Sequence, residues 1–103
     1  VSRRVESGPM GSKNDQRSTV YYSGNVQGVG FRFTARSIAR GFAVTGYVEN
    51  LPDGRVHLVA EGQTREVDAF LADVRERFSG NLRGERIDIG PATGEFAGFE
   101  IQH

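Results

Sequence analysis

Hydrophobic and polar positions follow two periods along this chain, and the switches between them mark out its elements. From Thr19 to Gly24 the run Thr-Val-Tyr-Tyr-Ser-Gly is β-branched and aromatic, with Val20 and Tyr22 on one face, and predicts a strand. The period then becomes helical: Phe31, Ala35, Ile38, Ala39 and Phe42 form one apolar stripe, and Gly41 stands where a C′ glycine ends a helix. Ala43 to Asn50 predicts a second strand, and Leu51-Pro52-Asp53-Gly54 a turn. Arg55 to Glu61 alternates, Val56, Leu58 and Ala60 against Arg55, His57 and Val59, and closes a β-hairpin with the preceding strand.

A second helix follows Gly62. Thr64 is its expected N-cap, Glu66 and Asp68 occupy its dipole-favoured first turn, and Val67, Phe70, Leu71, Val74 and Phe78 make its stripe. Ser79-Gly80-Asn81 ends it. Arg86 to Ile89 and Phe96 to Ile101 predict two short strands, with Ile87, Ile89, Phe99 and Ile101 pointing inward and the Gly90 to Gly94 turn between them. Strand, helix, strand, strand, helix, strand, with an extra edge piece, is the order of an α+β, ferredoxin-like (split βαβ) sandwich. Two helices are expected on one face of an antiparallel sheet.

Residues 1–18 offer almost nothing to a core and contain Gly8-Pro9, so they are expected to be a flexible tail, with the domain covering residues 19–103. At 103 residues the chain suits a single domain. Thirteen basic and thirteen acidic residues cancel, so no global charge draws the chain to nucleic acid or an anionic membrane, and any anion site must be local. With no cysteine there are no disulfides, thiolate metal sites or cysteine nucleophiles, which suits a reducing cytoplasm. Nor is there an apolar run long enough for a membrane span or signal segment, so a soluble protein that stays where it is made is expected.

One stretch carries chemistry. Gly24-Asn25-Val26-Gln27-Gly28-Val29-Gly30-Phe31-Arg32 runs off the first strand, opens the first helix and delivers an arginine. Gly24, Gly28 and Gly30 let the backbone curl until several N–H groups face one concavity, at the positive end of the helix dipole. Arg32 can add a two-pronged contact to the same anion. The glycine spacing is neither that of a P-loop, which also needs a following lysine, nor that of a dinucleotide fingerprint.

This loop resembles the first signature of the acylphosphatase family, G-x-V-Q-G-V-x-F-R. Gly46-Tyr47-Val48-Glu49-Asn50 followed by Asp53-Gly54-Arg55-Val56 resembles the second, G-x-V-x-N-x-x-D-G-x-V. The likeness runs from about Val20 to Ile101 and leaves the tail outside; Asn25 stands where relatives often carry a basic residue. It implies a small enzyme that hydrolyses the carboxyl-phosphate bond of acylphosphates to a carboxylate and inorganic phosphate, without metal or other cofactor. Arg32 would then hold the phosphoryl group together with the N–H groups of residues 24–30, and Asn50 would orient the attacking water. Inorganic phosphate is expected as product and competitive inhibitor, and the protein as a cytoplasmic monomer with a small-molecule substrate and neither nucleic acid nor membrane as partner. The acidic residues Asp53, Glu61, Asp68 and Glu76 have no metal-ligand spacing.

Two rivals exist. Arg40-Gly41-Phe42-Ala43-Val44 opens like the RNP1 pattern of RNA-binding modules, with Tyr47 on its last place. It follows the first helix directly rather than lying on the third strand, so Phe42 reads instead as the apolar residue closing that helix. The other is an acylphosphatase-like front domain of a larger carbamoyl-transferring maturation protein; the presence of both Arg32 and Asn50 favours a free-standing enzyme. His57, with no partner in its own segment, reads as a solvated strand residue.

Overall fold

The computed structural model describes residues 15–103. Five strands and two helices follow in the order β1 (Asp15–Gly24), α1 (Phe31–Ala39), β2 (Thr45–Asn50), β3 (Val56–Gln63), α2 (Thr64–Arg77), β4 (Leu82–Pro91) and β5 (Phe99–Gln102). They form one sheet in the order β4-β1-β3-β2-β5. β1 lies antiparallel between β3 and β4, and β2 pairs antiparallel with β3. β5 pairs parallel with β2, Gly46 opposite Phe99 and Glu49 opposite Gln102, so the sheet is mixed rather than wholly antiparallel. The reason is the connection: the segment from Pro91 to Phe99 carries the chain from one sheet edge to the other, which leaves β5 running in the direction of β2.

Alternation along the strands places Val20 and Tyr22 of β1, Val48 of β2 and Val56, Leu58 and Ala60 of β3 on one face. There they form a single core with Phe31, Ala35 and Ala39 of α1 and Val67, Phe70, Leu71 and Val74 of α2. Both helices therefore cover the same face, α1 over β2 and β5, α2 over β1 and β3. Phe42, as expected, packs against this core, its ring 6.2 Å from Phe70.

Other expectations are corrected as well. The tail boundary after Ser18 falls inside β1: Asp15 to Ser18 pair with β3, Ser18 is buried, and Arg17 Nε lies 2.8 Å from the carboxylate of buried Glu61. Residues 1–14 lie outside the described residues. Ile87 and Ile89 do not point into the core; they sit opposite Val20 and Ser18 but are exposed, because β4 is an edge strand beyond the helices that cover β1 and β3. Thr64 is the first residue of α2 rather than its N-cap, a place taken by Gln63 without a side-chain cap.

The uncovered face carries its own cluster. Glu61 Oε2 accepts hydrogen bonds from Arg17 and from the N–H and hydroxyl of Thr93, and Oε1 accepts from the N–H of Gly94, which ties the β4–β5 connection to the sheet. Burial alone would raise the Glu61 pKa, but those N–H donors and Arg17 hold the carboxyl below its usual range. His57 is not a solvated residue: its Nδ1 lies 2.8 Å from Glu49 Oε2 across the strand pair, and its ring stacks on Tyr21 at 4.8 Å. Glu49 and His57 meet because they are register partners, a relation invisible within either segment.

Candidate active site

The loop between β1 and α1 is built as a turn around two left-handed residues, Gly28 at φ 79° and Gly30 at φ 78°. A side chain would be strained at either, since a Cβ disfavours positive φ. Gly30 is the N-cap of α1, and no side chain caps the helix there. Thr34 N–H bonds to Gly30 O at 3.0 Å, so the N–H groups of Phe31, Arg32 and Phe33 precede the first intrahelical bond and are available to an anion.

The floor under this turn is apolar. Val26 is buried, and Phe31 packs between Tyr22 at 5.0 Å and Phe78 at 4.3 Å, which fixes the first turn of α1. Burial pushes the Tyr22 phenol pKa up, so the group stays neutral, and its buried hydroxyl has no hydrogen-bond partner among the described residues.

Asn50 reaches the same place from the sheet. Val48 is fully buried beneath the helices, and Asn50, two residues further along β2, shares its face at the strand's end. A cavity of about 210 Å³ is lined by Val26, Gly28, Gly30, Phe31, Arg32, Phe33 and Asn50. The loop, the arginine and the asparagine thus meet in one recess. Larger in volume is a recess of about 400 Å³ lined by Arg36, Ala39, Arg40, Phe42, Val44, Phe99 and Glu100, but neither the glycine turn nor Asn50 contributes to it.

The other loop residues have different placements. Gly24 lies outside the cavity; a Cβ there would come within 2.5 Å of Asn81 O and 2.7 Å of Arg83 N, so its glycine permits the close approach of β4. Asn25 is likewise engaged with Asn81: its N–H donates to Asn81 O at 2.9 Å, and Asn81 Nδ2 donates back to Asn25 O at 3.1 Å. Val29 is exposed on the turn. Gln27 sends its side chain away from the cavity, Nε2 donating to Leu51 O at 2.8 Å and Arg55 O at 3.0 Å. Those carbonyls belong to the turn that follows Asn50, where Leu51 N–H also bonds to Arg55 O at 2.8 Å. Asp53 completes that turn by accepting from Arg55 N–H at 3.0 Å, a bond that with the Arg55 guanidinium lowers its pKa.

Arg32 Nη1 is 3.4 Å from Gln102 O and 3.4 Å from His103 Nδ1, at the end of β5. Among the described residues it forms no ion pair with a carboxylate. Among the described residues, too, no group of three or more His, Cys, Asp or Glu side chains is placed to hold a metal ion. Three participants were not anticipated from sequence: the Gln27 side chain as a strut, the end of β5 as a rest for Arg32, and Phe33 as cavity lining. Only Phe33 left a local signal, an aromatic residue out of phase with the apolar stripe of α1.

Fold and cavity together describe a small α+β protein in which the N-terminal turn of a helix without a side-chain cap, an arginine and an asparagine line one recess. The family model described as Acylphosphatase matches residues 18–101, and the chain belongs to that family, whose members are hydrolases acting on acylphosphates. The acylphosphatase of Rubrobacter xylanophilus is 39% identical over 103 residues, covering 99% of this chain and 93% of that protein. That of Archaeoglobus fulgidus is 54% identical over 56 residues, covering 54% of this chain and 63% of the relative's length. The crystal structure of acylphosphatase from Bacillus subtilis superposes with a TM-score of 0.78 at 28% identity, covering 85% of this chain and 99% of that chain.

Proposed function

We propose that this chain hydrolyses acylphosphates with Arg32 and the backbone N–H groups around Gly28 and Gly30 holding the phosphoryl group and Asn50 orienting the attacking water. The observation that carries this reading is that Arg32, Asn50 and the glycine turn line a single cavity. A bond forms from the water oxygen to phosphorus, and the bond from phosphorus to the acyl oxygen breaks, its electron pair leaving on the carboxylate. A carboxylate of conjugate-acid pKa about 4 departs without a general acid. Asn50 is neutral and carries no proton away, so the water's proton passes to a phosphoryl oxygen. What remains for the protein is positioning and charge stabilisation of a loose, charge-spread transition state.

Because the leaving group needs neither protonation nor a Lewis acid, the reaction is metal-independent and uses no cofactor, and inorganic phosphate, which fills the same cradle, is a competitive inhibitor. The β4-β1-β3-β2 core with its two helices follows the split βαβ, ferredoxin-like order, with β5 added at the edge. The working form is a cytoplasmic monomer acting on a small molecule, with neither nucleic acid nor membrane as partner; no helix among the described residues is long and apolar enough to cross a membrane. The test is release of inorganic phosphate from acetyl phosphate and benzoyl phosphate with and without a chelator. Equal turnover in both conditions and competitive inhibition by phosphate are expected; loss of turnover in chelator, restored by Mg²⁺, contradicts the metal-independent mechanism.

A further inference from the structure

Phe33 departs from the logic of α1. Phe31 is 2% exposed and belongs to the core, whereas Phe33, two residues on, is 63% exposed. A helix turns about 100° per residue, so the two rings point to nearly opposite sides. Phe33 nevertheless lines the cavity that holds Arg32 and Asn50. The Arg36 guanidinium sits 5.3 Å from its ring centroid, an arrangement that steadies an otherwise free aromatic side chain at the rim. Val29, 37% exposed, adds apolar surface from the glycine turn.

We infer that Phe33 forms the subsite for the acyl end of the substrate, so that the side chain at this position sets how far an aromatic acyl group is favoured over a short one. This rests on the hydrolytic reading above and on the geometry of in-line displacement. The attacking and leaving oxygens lie on opposite sides of the phosphorus. Asn50 lines the cavity from the end of β2, so a water oriented by it attacks from the sheet and in-line departure takes the carboxylate away from the sheet. Phe33 lines the cavity from α1 rather than from the sheet and is exposed to solvent. Its ring offers a flat apolar face to the group attached to the leaving carboxylate, and a phosphoryl group seated in the cradle brings that group to it.

The experiment measures kcat/KM for benzoyl phosphate and acetyl phosphate in the parent and in Phe33→Ala and Phe33→Leu. The expected result is a benzoyl-to-acetyl ratio that falls about fivefold in Phe33→Ala, the size of one lost aromatic contact, with Phe33→Leu in between. A ratio that does not move, or equal losses on both substrates, overturns the subsite. If the parent hydrolyses neither compound, the hydrolytic reading itself fails and the subsite with it. If the parent hydrolyses both while the ratio ignores residue 33, the subsite alone fails.

Discussion

The side chain of Gln27 ties the glycine loop to the turn that follows Asn50, so on the proposed mechanism replacing it should separate binding from catalysis. In the parent, Nε2 donates to Leu51 O and Arg55 O at 2.8 and 3.0 Å. Gln27→Ala removes both bonds, yet neither carbonyl is orphaned: Leu51 O still accepts from Gly54 N–H at 3.1 Å, and Arg55 O from Leu51 N–H at 2.8 Å. The stability cost is therefore the low figure for bonds lost without a buried unsatisfied group, about 1–2 kcal/mol for the two. For a domain of this size that lowers Tm by about 5–15 °C.

The kinetic cost is of another kind. Arg32 and the N–H groups of α1 stay where the apolar packing of Phe31 puts them, so phosphate binds nearly as before. Asn50 loses its cross-link to the loop, and a displacement on the order of 1 Å between water and phosphorus reduces rate by about a hundredfold. Steady-state kinetics on acetyl phosphate should show kcat down by about ten- to a hundredfold, with the phosphate inhibition constant changed by less than about threefold. Gln27→Glu should be worse than Gln27→Ala, because it sets a carboxylate with no donor against two carbonyl oxygens. Near-parental kcat in Gln27→Ala, or loss of phosphate affinity in step with kcat, refutes the strut; the second outcome makes Gln27 a ligand of the anion.

Arg32→Ala should weaken phosphate inhibition together with turnover, and Arg32→Lys should rescue little, since an ammonium lacks the planar fork; phosphate affinity as tight as the parent's contradicts the assignment. Asn50→Ala should lower kcat by about a hundredfold, in the range of losing one oriented polar group, and leave phosphate affinity nearly intact; both variants are checked for fold by circular dichroism. Glu61→Gln should cost about 2 kcal/mol by removing the charge from its hydrogen bonds, read by denaturant titration. Because folding lowers the Glu61 pKa, its contribution is complete above the ordinary carboxylate range and is lost as pH falls through the depressed value; a parent with the same acid profile as Glu61→Gln excludes that role. Deleting residues 1–18 should lower Tm by about 10 °C or more, since it strips Asp15 to Ser18 from between β3 and β4; an unchanged Tm returns those four residues to the tail.

What was legible in the sequence is what local pattern dictates. Val20 with Tyr22, and Val56 with Leu58 and Ala60, announce their buried face by period two, and the two helix stripes announce theirs. The glycine turn and Arg32 are adjacent in sequence, so their meeting needed no fold at all. The first residues of β1 were missed because Asp15, Gln16, Arg17 and Ser18 are polar. They belong to the sheet through partners far along the chain, such as Glu61 for Arg17 and the pairing of Gln16 with Gly62 and Pro91. Ile87 and Ile89 misled for the converse reason: alternation specifies a face, while burial depends on whether a helix reaches the sheet edge.

The parallel placement of β5 matters more to the site than its length suggests. Running with β2, it brings its last residues level with the end of that strand, Gln102 beside Glu49, and so supplies Gln102 O and His103 Nδ1 to Arg32. An antiparallel β5 in the same place would present its first residues there instead. The recess is thus closed by three ties between distant segments: Gln27 to the β2–β3 turn, Arg32 to the end of β5, and Asn25 to Asn81. For a reaction whose leaving group departs unaided, such preorganisation is the main thing a protein can contribute, because each donor then faces the developing charge without reorganising. On the proposed mechanism one arginine and one amide suffice because they are held in place, and substitutions at Gln27 or at the Asn25–Asn81 tie should therefore act on kcat while leaving Arg32 and Asn50 intact.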